Sequence, residues 1–163
     1  MPALFTRAFA ARLDKLAAVR VQEAENGDPL TPGQVLIAPG DQHLRVHRQG
    51  SVLRARLSSE AAVNRHRPSV DVLFDSAAAL GERGIGGLLT GMGQDGARGL
   101  LAMRQAGART FAQAAETCVV SGMPGAAVAM GAAERDLILD RVAEALMVWA
   151  TAAAPSAPSH AWR

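Results

Sequence analysis

Phe5, Phe9, Leu13 and Leu16 recur at near-helical spacing, so residues 4–17 are predicted to form an amphipathic helix. VRVQEA (19–24) follows as a short strand, and AENGDPLTPG is dense in turn residues. QVLIAP (34–39) reads as a second strand. HLRVHR (43–48) and SVLRARLS (51–58) then alternate polar and apolar residues around Gln49-Gly50, the pattern of a hairpin with one wet face.

The period changes from Pro68. In PSVDVLFDSAAALGERG, Val72, Leu73, Ser76, Ala79 and Leu80 share one side, Pro68 suits the first helical turn, and Gly81 or Gly84 closes the helix. IGGLLT (85–90) is a buried strand, ARGLLAMRQAG (97–107) a helix and RTFAQ (109–113) another strand. MPGAAVAMG (123–131) is a short helix with Pro124 in its first turn. RDLILD (135–140) is a last strand, with Asp140 as N-cap of a helix over 141–152. Helix and strand alternate from 68 onward. The fold class is therefore α/β, with a mainly parallel sheet and an inserted antiparallel hairpin. Residues 1–150 form the domain, and the Ala/Pro/Ser-rich tail 151–163 is expected to be disordered.

Composition narrows this further. Hydrophobic residues make up 49% of the 163 and aromatics 4%, so the core is built from aliphatic side chains, as suits helices on a parallel sheet. Net charge is +2 with the basic residues scattered, which argues against a nucleic-acid partner. No apolar run reaches the ~18–20 residues of a membrane span, so no membrane insertion is expected. The single cysteine, Cys118, excludes a disulfide scaffold or a cysteine metal cage and suits a reducing cytoplasm. No metal and no cofactor is expected.

The candidate chemistry sits in LLTGMGQDGARGL (88–100). Gly91-x-Gly93-x-x-Gly96, between a strand and a helix, matches the dinucleotide fingerprint, and Glu116 lies where an acidic ribose ligand would fall. Asp95 opposes that reading. Placed at the helix start, its carboxylate would cap the donors a pyrophosphate needs and would repel it. The other reading makes Asp95 the working residue, a carboxylate at the carboxyl end of a strand able to orient a histidine. A plain N-cap in a tight turn is the structural alternative.

LTPGQVLIAPGDQHLRV, HRPSVDVLFDSAA, LLTGMGQDGARGLLAMRQAGA and FAQAAETCVVSGMPGAAVAMGA, in this order, carry a resemblance to the catalytic domain of CheB, the protein-glutamate methylesterase of bacterial chemotaxis. It covers roughly Pro2 to Leu139. The resemblance implies a doubly wound α/β fold in three layers and a cytoplasmic hydrolase that removes methyl esters from receptor glutamates, and deamidates some glutamines, with a Ser-His-Asp triad. Its protein partners are then methylated chemotaxis receptors, with an upstream receiver domain or a phosphorelay kinase as a further partner. The triad aspartate maps onto Asp95, and Met92 lines the site near the oxyanion position, where its N–H is a candidate donor.

The same resemblance implies a gap. In the family the serine lies in a Ser-x-Gly-Gly-type turn after the first strand, and the histidine ends the next strand, just before a Met-Pro pair. This sequence opens Met1-Pro2, so the expectation is a domain incomplete at its N-terminus, holding one triad member of three. Substitutes are not apparent. His43 and His47 read as exposed strand positions, His66 stands between Arg65 and Arg67, and His160 lies in the tail. Ser69, Ser76 and Ser121 read as helix-start, helix-face and loop residues, no G-x-S-x-G elbow occurs, and Cys118 reads as a small buried residue. The chain by itself is expected to be inactive. A non-catalytic receptor-binding fragment and a dinucleotide module remain as alternatives.

Overall fold

A computed structural model describes residues 3–152. The predicted elements are present with shifted ends. Helix α1 (Ala3–Asp14) leads into strand β1 (Arg20–Glu23), β2 (Gln34–Ile37), and the hairpin β3 (His43–Gln49) and β4 (Val52–Ser58). Helix α2 (Val70–Ala77) runs on into a 3₁₀ segment, Ala78–Arg83. Then come β5 (Ile85–Leu88), α3 (Ala97–Gln105), β6 (Arg109–Gln113), α4 (Gly122–Ala129), β7 (Arg135–Leu137) and α5 (Leu139–Ala152).

Three local expectations are corrected. Pro68 lies before α2, whose N-cap is Ser69, so the helix starts two residues beyond the proline. Asp140 is inside the first turn of α5 rather than its N-cap. Thr151 and Ala152, placed at the start of the tail, are helical: α5 ends at Ala152, where its pattern predicts, with the Thr151 hydroxyl donating to the Met147 and Val148 carbonyls. The rest of the predicted tail, 153–163 with His160, lies outside the described residues.

Parallel pairing joins β1 to β2, and β5 to β6 to β7, while β3 and β4 pair antiparallel in full register from His43↔Ser58 to Gln49↔Val52. The parallel strands thus form two separate hydrogen-bonded groups, and α2 packs on β3 of the hairpin and on α3. Because side chains alternate along a strand, β5 meets different layers on its two faces. A Cβ on Gly86 would lie 2.7 Å from Leu100 of α3, whereas one on Gly87 would lie 2.1 Å from the Phe111 ring. Gly87 is therefore needed for that ring to cross the strand. On the Phe111 side, Trp149 of α5 stands 6.1 Å away, with the Arg109 guanidinium 4.8 Å over it. Helices α3 and α5 therefore cover opposite faces, which makes this part three-layered.

The core is aliphatic, as the composition requires. Leu88, Ala97, Leu100, Ala127 and Ala132 form one cluster under α3 and α4, with Val70 and Phe74 of α2 packed against it. Ala24, Leu44 and Ala55 form a second beneath the hairpin, closed by Leu73 of the same helix. Helix α2 therefore seals both clusters, and its N-terminus is delivered to the glycine loop.

Candidate functional site

The loop after β5 is tied by hydrogen bonds to β6 and to the start of α4. Gly91 N–H donates to the Val120 carbonyl at 2.9 Å, Met123 N–H to the Gly91 carbonyl at 2.8 Å, and Thr90 N–H to the Gln113 side chain at 2.8 Å. Met92 stands at the crest, 83% exposed, and its N–H has no hydrogen-bond partner among the described residues. Val119 and Val120 are exposed beside the same seam. At the end of the loop Gly96 takes φ +90, a left-handed conformation open to glycine, and a Cβ there would strike Val70 at 2.7 Å and Leu88 at 2.8 Å. That turn rotates Asp95 inward, to 4% exposure.

The N-cap position of α3 belongs to Gly96, and the Asp95 carboxylate turns to a different helix. Its Oδ2 accepts the Val70 N–H at 2.7 Å. Its Oδ1 accepts the Ser69 hydroxyl at 2.7 Å, the Asn64 amide at 2.8 Å and, more distantly, the Asp71 N–H at 3.4 Å. Asp95 thus caps α2, not α3. Asp71 of α2 returns the exchange: its Oδ1 accepts the Gly99 N–H of α3 at 2.8 Å. Each helix N-terminus is capped by an acid tied to the other. Burial alone would raise the pKa of Asp95, but the Ser69 hydroxyl, the Asn64 amide and the Val70 and Asp71 N–H groups outweigh it and hold the carboxyl below its usual range. The group stays anionic with no cationic partner among the described residues.

This arrangement decides between the two readings of the glycines. The Gly99 N–H of α3 is already taken by the Asp71 carboxylate, and that buried negative charge at the helix start leaves no seat for a pyrophosphate. Glu116 is exposed on the 3₁₀ turn after β6 and takes no part in the loop. The dinucleotide alternative is not supported.

Ser69, His43 and Asp95 do meet, which the sequence pattern did not reveal. His43 was expected on an exposed strand face and is instead completely buried, because α2 packs on that side of β3. Its Nδ1 accepts the Ser69 N–H at 3.2 Å, so the proton sits on Nε2, which donates to the Ala61 carbonyl at 3.1 Å. The trio is not wired for nucleophilic catalysis. The Ser69 hydroxyl gives its hydrogen to Asp95, the imidazole meets the backbone of Ser69 rather than its hydroxyl, and all three are buried. His47 and His66 are exposed, and no histidine hydrogen-bonds to Asp95 among the described residues. Ser76 bonds the Leu73 carbonyl and accepts the Val46 N–H, which ties α2 to the hairpin. Ser121 precedes α4 as its N-cap residue, and Cys118 is half-buried rather than buried. Among the described residues no three His, Cys, Asp or Glu side chains converge as metal ligands, and no helix is long and apolar enough to cross a membrane.

Comparison with known proteins gives a consistent answer. The family model described as CheB methylesterase matches residues 1–146. A protein-glutamate methylesterase/protein-glutamine glutaminase 2 of Pseudomonas aeruginosa is 56% identical over 148 residues, 90% of this chain and 42% of that protein. A protein-glutamate methylesterase/protein-glutamine glutaminase of Bordetella parapertussis is 54% identical over 149 residues, covering 90% of this chain and 43% of that one. The chain thus spans about two fifths of the length of these curated relatives. The crystal structure of the Thermotoga maritima CheB methylesterase catalytic domain superposes with a TM-score of 0.87 at 38% identity, covering 91% of this chain and 79% of that one.

Proposed function

Because this chain belongs to the CheB methylesterase family, we propose that it is part of an enzyme that hydrolyses glutamate methyl esters, and deamidates glutamines, on methyl-accepting chemotaxis receptors. Residues 1–150 are read as one catalytic domain in part, and the enzyme as cytoplasmic. Asp95 is the triad carboxylate. The observation that carries this is a buried, anionic carboxylate with an accepting site left on Oδ2, three residues along the loop from an unpaired Met92 N–H.

In this reaction a serine attacks the ester carbonyl while a histidine takes its proton. Asp95 orients the imidazole and stabilises it once charged, without accepting the proton itself. Its lowered pKa fits that role, since a carboxylate that resists protonation keeps the proton on the imidazole for delivery to the methoxide leaving group. The Met92 N–H is the candidate donor to the tetrahedral oxyanion. Water then releases the glutamate. Receiver-domain control of the site is a further part of this reading.

The chemistry needs an imidazole on Asp95 and a serine hydroxyl free to attack, and the described residues supply neither: the Ser69 hydroxyl donates to Asp95 itself and the His43 ring does not reach it. The 163-residue chain alone is therefore expected to release methanol from methylated receptor at no more than a trace rate, because triad members act as a unit. Turnover by the chain alone at an intact enzyme's rate would sink that requirement. In a longer product supplying both residues, an unchanged rate after Asp95→Ala would sink the assignment of Asp95. Receptor binding by the inactive chain, measured alongside, separates a binding fragment from a chain with no affinity for receptor.

A further inference from the structure

The two oxygens of Asp95 are not equivalent. A carboxylate offers about four lone-pair sites, two on each oxygen. Oδ1 is taken by two short bonds, from Ser69 Oγ and Asn64 Nδ2, with the Asp71 N–H behind them; Oδ2 holds the Val70 N–H alone. Any further donor must approach Oδ2.

Asn64 has a second task. Its amide nitrogen donates to Asp95 Oδ1 and to Asp71 Oδ2, both at 2.8 Å, so each of its hydrogens serves one carboxylate. Without it these two acids would face each other with no donor between them. Arg98 reaches Asp71 at 3.7 Å, but also Asp75 at 3.7 Å, and its side chain is mostly exposed. The imidazole of His43, packed against Ser69, meets the Ser69 backbone and not Asp95.

The backbone around Asn64 is bent to achieve this. Val63 and His66 exchange both N–H···O bonds around a two-residue loop, Asn64-Arg65, with φ +53 and +65. Two successive left-handed residues make a type I′ turn, which accepts Asn readily and Arg poorly. Such strain is tolerated where the surroundings over-determine it, and it concentrates at functional sites. Ser69 is fixed differently. His43 grips its N–H from below, and its hydroxyl caps nothing in its own helix, pointing to Asp95 instead.

We propose that Asn64 and Ser69 are positioning residues for Asp95, filling Oδ1 so that Oδ2 is the oxygen presented to the imidazole. This rests on the triad role given to Asp95 above, but its test does not. In the ¹³C-labelled full chain, the Asp95 carboxyl is titrated by NMR in the wild type, Asn64→Gly, Ser69→Ala and Ser69→Thr. Asn64→Gly keeps the left-handed turn and removes only the amide, and Ser69→Thr restores the hydroxyl.

The expected result is an upward shift of the Asp95 midpoint in Asn64→Gly and in Ser69→Ala, and a return toward wild type in Ser69→Thr. A midpoint unchanged in Asn64→Gly and Ser69→Ala overturns the proposal. If Ser69→Ala does not fold, Asn64→Gly decides alone, because Asn64 sits on an exposed turn. Failure of the triad reading shows elsewhere, as methyl-ester turnover by a longer product, supplying the serine and histidine, that is indifferent to Asp95→Ala while the titration still shifts.

Discussion

Helix α4 contains two glycines three residues apart whose replacement by alanine should act in opposite directions. Gly→Ala inside a helix ordinarily gains roughly 0.5–1 kcal/mol, from the reduced freedom of the unfolded chain. At Gly125 nothing opposes this. The new Cβ would lie 3.4 Å from Ser121 Oγ, an ordinary contact. At Gly122 it would lie 2.8 Å from the Gly91 carbonyl oxygen, 2.8 Å from the Gly93 nitrogen and 3.0 Å from the Gly93 oxygen. All three are backbone atoms, so no side-chain rotation relieves the clash. Overpacking costs about 1–3 kcal/mol, and here it would push apart the bonds that link Gly91 to Val120 and Met123. The gain from helix propensity is at most about 1 kcal/mol, so the clash wins. We expect Gly125→Ala to raise stability by roughly 0.5 kcal/mol and Gly122→Ala to lower it by about 1–2 kcal/mol. Urea unfolding of both variants, with m-values compared to confirm a common unfolded state, measures the difference. Amide shifts of Gly91–Gly93 should move in Gly122→Ala only. If Gly122→Ala proves as stable as Gly125→Ala, the close approach of α4 to the glycine loop is wrong, and with it the account of how Met92 is held.

Other expectations follow from the same region. Asp95→Ala strands the Ser69 hydroxyl, the Asn64 amide and the Val70 N–H, and should destabilise the chain by roughly 2–4 kcal/mol in urea unfolding; a loss under about 0.5 kcal/mol would contradict the capping geometry. Leu100→Ala, at a fully buried position, should cost about 2–5 kcal/mol, read from the same unfolding curves. Because the folded-state pKa of Asp95 lies below its ordinary 3.8, the unfolded chain binds more protons between the two values, and stability rises with pH there. The Asp95 contribution is thus complete above the ordinary value and lost as pH falls through the folded one. Urea midpoints measured against pH should fall more steeply on the acid side in wild type than in Asp95→Ala, and parallel curves would refute the sign.

What the sequence revealed was local. The alternation in 43–58 reports a hairpin with one wet face because period-2 patterning is written into each strand, and the β5–loop–α3 unit is marked by glycines flanked by apolar runs. His43 defeated the same logic. Its alternation looks like an exposed position, but α2 packs over that side of β3, a contact made by a segment more than twenty residues away. Asp95 was recognised as a carboxylate at a strand end, while its attachment to α2 was not, because the partners Asn64, Ser69 and Val70 lie 25 to 31 residues back. A signal was present in PSVD: a serine and an aspartate in the opening turn of α2, whose polar atoms bond to α3 and its loop rather than to α2 itself. Helix ends slipped for a simpler reason, since Pro68 and Asp140 have the right chemistry for a helix start but neighbouring residues took the position.

The exchange of caps between α2 and α3 ties together parts of the chain that share no strand pairing. Neither helix has its end groups satisfied until the other has docked, so fraying at one N-terminus exposes orphan donors at both. Native-state hydrogen exchange should therefore report one opening event for the amides of Val70 and Gly99, with matching free energies, although 29 positions separate them in sequence. The hairpin layer and the glycine-loop layer would then melt as a single cooperative unit, with the two buried acids as the clasp between them.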